Sequence, residues 1–283
     1  MDDFRHPLTL QIAGILAILI FFGSCYLWFR WFKRRKGTEG EELKAWSRSW
    51  LDFAIVLWLA FVVMLALLMG GERLVRLHPH LRFSNELDSE MNWVTVLYGL
   101  VPQLALIITV LAVKSHYHVR FLPFSPTKRP FFKGGEKLIR YFPLIWIAAG
   151  LSTWLLERVG LSSGEQETIT MMNALQDPWK YLLCALAAVV FAPVLEELFF
   201  RGILFRFLLG KLSTQLALLI SAALFSLLHF NSDSLVPIFI LGYLLGSIYR
   251  ETGDIRSSIA MHACFNGFSV FLMSIDKWLG GTM

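Results

Sequence analysis

The sequence predicts an all-α protein, a polytopic transmembrane helical bundle of about eight spanning helices, and three observations carry that expectation. Of 283 residues, 56% are apolar and only 17% charged. The mean hydropathy is +0.58, well above that of a water-soluble domain of this length. The apolar residues also gather into eight uncharged runs, at 8–29, 53–71, 91–113, 141–156, 181–195, 212–228, 234–249 and 257–275. A helix crossing the bilayer core needs roughly 20 residues, so the chain has apolar material for about eight. Disorder is excluded and a soluble enzyme disfavoured.

Taken in order, the run at 8–29 is too long for the apolar core of a secretory signal. It is closed by Arg30, Lys33, Arg34, Arg35 and Lys36 with no small-residue cleavage site, and reads as a retained signal anchor. The runs at 53–71 and 91–113 are long and free of charged side chains. Between Arg120 and Arg140, Phe121, Phe124, Phe131 and Phe132 interleave with Lys and Arg. That pattern suits a stretch resting on anionic headgroups, with a docking surface as the other reading. A soft boundary near residue 140 separates N-terminal helices and a basic interfacial loop (1–140) from a core (141–283). The last five runs carry Glu196, Glu197, Arg201, His229 and His262 at or inside their ends, so any chemistry belongs to this second part.

The net charge of +5 does not point to nucleic acid, because the basic residues flank apolar segments and form no single patch. Alternate loops hold 19 of the 26 Lys and Arg against 7. By the positive-inside rule the richer set (30–50, 114–140, 201–211, 250–256) faces the cytoplasm and both termini face outward. Cys25, Cys184 and Cys264 lie inside apolar runs without CxxC spacing, which supports neither a disulfide framework nor a structural zinc site.

An ionisable residue inside a bilayer needs a partner or a water-filled cavity. Glu197 and Arg201 are four apart and can neutralise each other on one helix face. Glu196 then points about 100° away, where a carboxylate among apolar groups is suited to hold and return a proton. The alternative is that both acids cap or salt-bridge a helix end. Phe225 precedes His229 by one turn. His262 and Asn266, also four apart, can donate hydrogen bonds to a developing oxyanion or bridge two helices. His116 and His118 form a weaker cluster in a loop. Glu196 and His229 reach similar depth only if the motif helix runs from about Trp179 to Lys211, with Pro193 as a kink just before the acids.

Glu196-Glu197-xxx-Arg201, Phe225-xxx-His229 and His262-xxx-Asn266, in this order on successive apolar helices, resemble the signature of the type II CAAX prenyl endopeptidase-like (CPBP, or abortive-infection) family of intramembrane proteases. The resemblance covers roughly residues 140–275. It implies peptide-bond hydrolysis in the membrane, with Glu196 and His229 activating a water, His262 and Asn266 stabilising the oxyanion, and Glu197 with Arg201 as a structural pair. The family is often termed metalloprotease. A zinc ion on Glu196, His229 and His262 is one reading, and a Glu/His-activated water without metal is the other, since HExxH is absent. The implied substrate is a membrane-embedded or lipid-anchored peptide or protein. Short loops and small size suggest a multi-pass protein of a bacterial cell membrane, where members of the family act in peptide maturation, bacteriocin immunity and regulated proteolysis. Two other classes fit the residues. A non-catalytic immunity or scaffold protein could retain the motif, and a proton-coupled transporter could use the same side chains, although their confinement to one half of the chain argues against paired transporter repeats.

Overall fold

In the computed structural model, residues 7–33, 43, 45–78, 93–121, 129–164 and 166–280 are described. Among them every regular element is helical. The helices are α1 (Pro7–Lys33), α2 (Trp50–Leu77), α3 (Trp93–Tyr98), α4 (Val101–Tyr117), α5 (Pro130–Val159), α6 (Glu167–Ala174), α7 (Pro178–Leu186), α8 (Ala192–Phe199), α9 (Arg206–Leu209), α10 (Thr214–Leu227), α11 (Ser232–Thr252) and α12 (Ile255–Gly280). Seven helical stretches among the described residues are long and apolar enough to cross a membrane. The expected eighth, from the run at 212–228, forms only the 14 residues of α10, about 21 Å of helix.

Local chemistry sets several of the ends. Ser49 caps α2 in a reciprocal box with Asp52, each side chain accepting from the other's backbone N–H at 3.1 Å. Asp177 caps α7, accepting from the N–H of Trp179 at 2.7 Å, and Pro178 occupies the first helical position. Gly160 ends α5 with φ +70°, the left-handed cap that glycine adopts without cost.

The chain groups into two compact units, each assembled from separated stretches. One contains α1, α5, α10, α11 and α12. In it α11 is the most enclosed span, 56% buried, packed against α5, α10 and α12, while α1 lies on α5 and α12. Its helices approach closely where side chains are absent. A Cβ on Gly134 of α5 would collide with the carbonyl of Ser257 on α12. Residues 130–140 are helical as the first turns of α5, which crosses residue 140 unbroken. The expected interfacial stretch around Phe124 falls partly on 122–128, outside the described residues. Within α5 the basic side chains are neutralised: buried Lys137 meets Glu251 at 2.6 Å and Ser247 at 2.8 Å, and Arg140 meets Glu136 at 2.9 Å.

The second unit contains α2, α3, α4, α6, α7, α8 and α9. Here α2 packs on α4, and α4 on α8. Only 11% of α2 is buried, with Phe61, Trp58 and Leu51 pointing outward. In water such a surface would drive aggregation; in a bilayer it faces an equally apolar solvent.

Candidate active site

The motif acids sit on a helical run that continues from Pro178 to Leu209, so the charges at 196, 197 and 201 do not terminate it. Two π-helical turns interrupt its α-geometry, at Ala187–Phe191 and Phe200–Phe205. The first ends just before Pro193, whose ring would crowd the carbonyl four residues back in a regular α-helix. The wider turn ahead of it takes up the irregularity that the sequence places as a kink at that proline. Turns of this kind are frequent at functional sites, and here the pair brackets α8 with Glu196 and Glu197.

Glu197 and Arg201 meet at 3.0 Å, and neither side chain has any exposed surface. Such a pair survives only by mutual neutralisation, because an isolated buried charge is prohibitively costly. The guanidinium also lies 5.8 Å from the centre of the Phe200 ring, an attractive placement for a cation. Glu196, one position earlier, is half-buried.

The histidines belong to the other unit. Phe225, in the last turn of α10, is fully buried. Its ring centroid lies 4.9 Å from that of His229 and 5.6 Å from that of His262, both in edge arrangements. His262, on α12, is 3% exposed, and Asn266 follows one turn later, half-buried. Phe225 thus brings together residues 33 positions apart. It can lie so deep because α11 offers Gly242 opposite: a Cβ there would come within 3.1 Å of Phe225 Cδ1 and 3.2 Å of Ala222 Cα.

His229 stands just beyond α10, and its Nδ1 lies 2.7 Å from the Phe225 carbonyl oxygen. A carbonyl oxygen only accepts, so Nδ1 carries the hydrogen. In the neutral ring Nε2 then presents its lone pair. The next residue, Phe230, is 87% exposed and has φ +49°, a left-handed conformation costing a bulky residue roughly 1 kcal/mol or more.

His116 closes α4 and His118 is its left-handed cap residue at φ +52°. Both are exposed, and His116 makes a ring contact with Tyr117. Cys25, Cys184 and Cys264 are free thiols. Among the described residues no three His, Cys, Asp or Glu side chains are grouped so as to hold a metal ion.

Sequence reasoning does not reach Gly242, whose importance lies in the space it leaves. It also passes over Asp233, which binds the 161–164 loop to the start of α11. The available signal was that Asp233 is the only acid between 198 and 250, two residues after the cap Asn231.

Residues 178–268 match the family model described as type II CAAX prenyl endopeptidase Rce1-like, a stretch that includes all the motif residues. The chain is also 23% identical over 195 residues to the protein of Bacillus subtilis (strain 168) named "Putative membrane peptidase YdiL", an overlap covering 65% of this chain and 75% of that protein. No solved structure matches the chain. Both likenesses are to membrane proteases at the level of family, the first of them confined to residues 178–268.

Proposed function

We propose that this chain, a multi-pass membrane protein carrying a type II CAAX prenyl endopeptidase-like segment at residues 178–268, is an intramembrane endopeptidase acting on a membrane-embedded or lipid-anchored peptide or protein. The observation that carries the reading is the 2.7 Å separation between His229 Nδ1 and the Phe225 carbonyl oxygen. Since a carbonyl only accepts, Nδ1 donates to it and Nε2 is left to accept a proton from water.

In the proposed reaction Glu196 and His229 Nε2 take a proton from a water molecule as its oxygen attacks the substrate carbonyl carbon. The C=O π bond opens to an oxyanion, which accepts hydrogen bonds from His262 and Asn266. The oxyanion then re-forms the C=O bond as the C–N bond breaks and the captured proton passes to the departing nitrogen, giving a carboxylic acid and an amine. The acid's proton, the second from the water, passes to the amine, so the final products are a carboxylate and an ammonium. Glu197 and Arg201 take no part in proton transfer; Arg201 is held by Glu197 at 3.0 Å, which leaves Glu196 as the motif acid suited to the chemistry. No step is routed through a metal, because the donors among the described residues form no ligand cluster.

The test compares new protein and peptide termini in membranes of cells expressing wild type or Glu196→Gln at matched levels. We expect a set of termini that disappears in the variant while its folding is unchanged. Identical termini under several growth conditions would overturn the reading in favour of a non-catalytic immunity or scaffold protein. The positive-inside bias favours the cytoplasmic side for residues 210–213, the turn that follows the Pro178–Leu209 helical run. Labelling of single cysteines in that segment by an impermeant reagent added to intact cells would reject this orientation.

A further inference from the structure

Outside the motif, the densest polar cluster in the unit that holds the histidines surrounds Asp233, which is 8% exposed. Its carboxylate accepts from Ser162 Oγ at 2.9 Å, from the backbone N–H of Ser163 at 2.7 Å, from the N–H of Gly164 at 3.1 Å and from Ser163 Oγ at 3.2 Å. On either side of it in the sequence, Asn231 Nδ2 donates to the Gly164 carbonyl at 2.9 Å and Ser232 Oγ to that of Leu161, also at 2.9 Å. The turn after α5 is thereby fastened to the start of α11 by bonds that nearly all involve residues 231–233.

The segment so fastened is the one that bears His229. Because α10 ends at Leu227 and α11 begins at Ser232, His229 lies on a connector that no regular helix holds. Its own backbone supplies two short turn bonds, His229 N–H to Ser226 O and Phe230 N–H to Leu227 O, both 3.1 Å. It must also keep Phe230 in a left-handed conformation that the side chain disfavours. Before His229, the buried Phe225 fixes the connector; after it, the bonds of Asn231, Ser232 and Asp233 do. Ser226 Oγ adds a tie across the connector by donating to the Leu235 carbonyl at 3.0 Å, but the stretch after His229 is held by the second anchor, and a displacement of about 1 Å at a reacting group can cost on the order of 100-fold in rate.

We propose that Asp233 is a positioning residue for the hydrolytic reaction: by clamping the 161–164 turn to the start of α11, it fixes the connector on which His229 presents Nε2. The consequence for rate rests on the proteolytic reading above; the clamp itself does not.

The two are separated in one experiment. In a background with Cys25, Cys184 and Cys264 replaced by alanine, Asp233→Ala is compared with the same variant carrying Ser163→Cys and Ser232→Cys. The hydroxyls of Ser163 and Ser232 lie 3.0 Å apart, close enough for an oxidised pair to refasten the turn without the carboxylate. Two quantities are read on the full-length protein: amide hydrogen exchange over 228–234, and the yield of termini that depend on Glu196. We expect Asp233→Ala to speed exchange and to lower the yield by about tenfold or more. The oxidised cysteine pair should restore both, and reduction of the disulfide should abolish the restoration. Unchanged exchange in Asp233→Ala would overturn the clamp. Restored exchange without restored cleavage would overturn positioning and point to a direct part for the carboxylate. If Glu196→Gln changes no termini, the proteolytic reading fails and the rate consequence with it, while the exchange data still decide the clamp.

Discussion

Replacing Arg201 by methionine keeps most of the side-chain volume and removes the cation that pairs with Glu197 inside the protein. With both groups fully buried and 3.0 Å apart, their attraction is about 5–6 kcal/mol at an effective dielectric constant near 20. Part of that is offset by desolvation of the two ions, and breaking a buried pair from one side typically costs about 3–5 kcal/mol. At roughly 2–4 °C per kcal/mol for a chain of this size, Arg201→Met should lower the melting midpoint of the detergent-solubilised protein by roughly 6–20 °C. Glu197→Gln should also destabilise, by less, because Glu196 still attracts the guanidinium. The double variant removes both charges and should recover most of the loss, since apolar groups of similar volume often replace a buried pair at little cost. The reasoning is refuted if Arg201→Met melts within about 2 °C of wild type, or if the double variant shows no coupling in a mutant cycle.

Two further substitutions probe packing around the motif helices. Gly242→Ala should cost about 1–3 kcal/mol, because its new Cβ meets the backbone of Ala222 at 3.2 Å as well as the Phe225 ring. Gly246→Ala should be nearly neutral, since it meets only the flexible Leu218 Cδ2 and gains helix propensity. Thermal unfolding giving the reverse order would contradict the close α10–α11 approach. Phe207 is fully buried, stacked on Phe53 with centroids 4.3 Å apart and ring planes 8° from parallel, and edged by Trp50 at 4.9 Å. Phe207→Ala should lose about 3–5 kcal/mol and Phe207→Leu less than half of that; a loss under about 1 kcal/mol in Phe207→Ala would show that the α2 aromatics do not buttress the motif helix.

The parts of this molecule legible in the sequence are those that helix geometry fixes over short distances. Hydropathy locates the spans, and a spacing of four residues is enough to bring Glu197 to Arg201, because both depend only on neighbours along one helix. The helical run Pro178–Leu209 matches the helix from about Trp179 to Lys211 that the depth of Glu196 and His229 requires, since Arg201 is neutralised within it. Where an expectation needed revision, charge was weighed without its partner. The basic stretch near 137 and 140 lies inside α5, where Lys137 and Arg140 find Glu251 and Glu136.

Lateral arrangement was decided by the tertiary structure alone. That α1 packs with α5 and α12, that the Phe225 ring meets that of His262, that Gly242 opens room for it and that Asp233 reaches back to residues 162–164 are all contacts between distant stretches. Hydropathy cannot encode them. Lipid tails are as apolar as leucine side chains, so burying a helix face against protein or against lipid leaves the same apolar pattern in the sequence. Which face meets which neighbour is set by close packing at small residues and by a few polar bonds. Their geometry exists only once the helices are assembled.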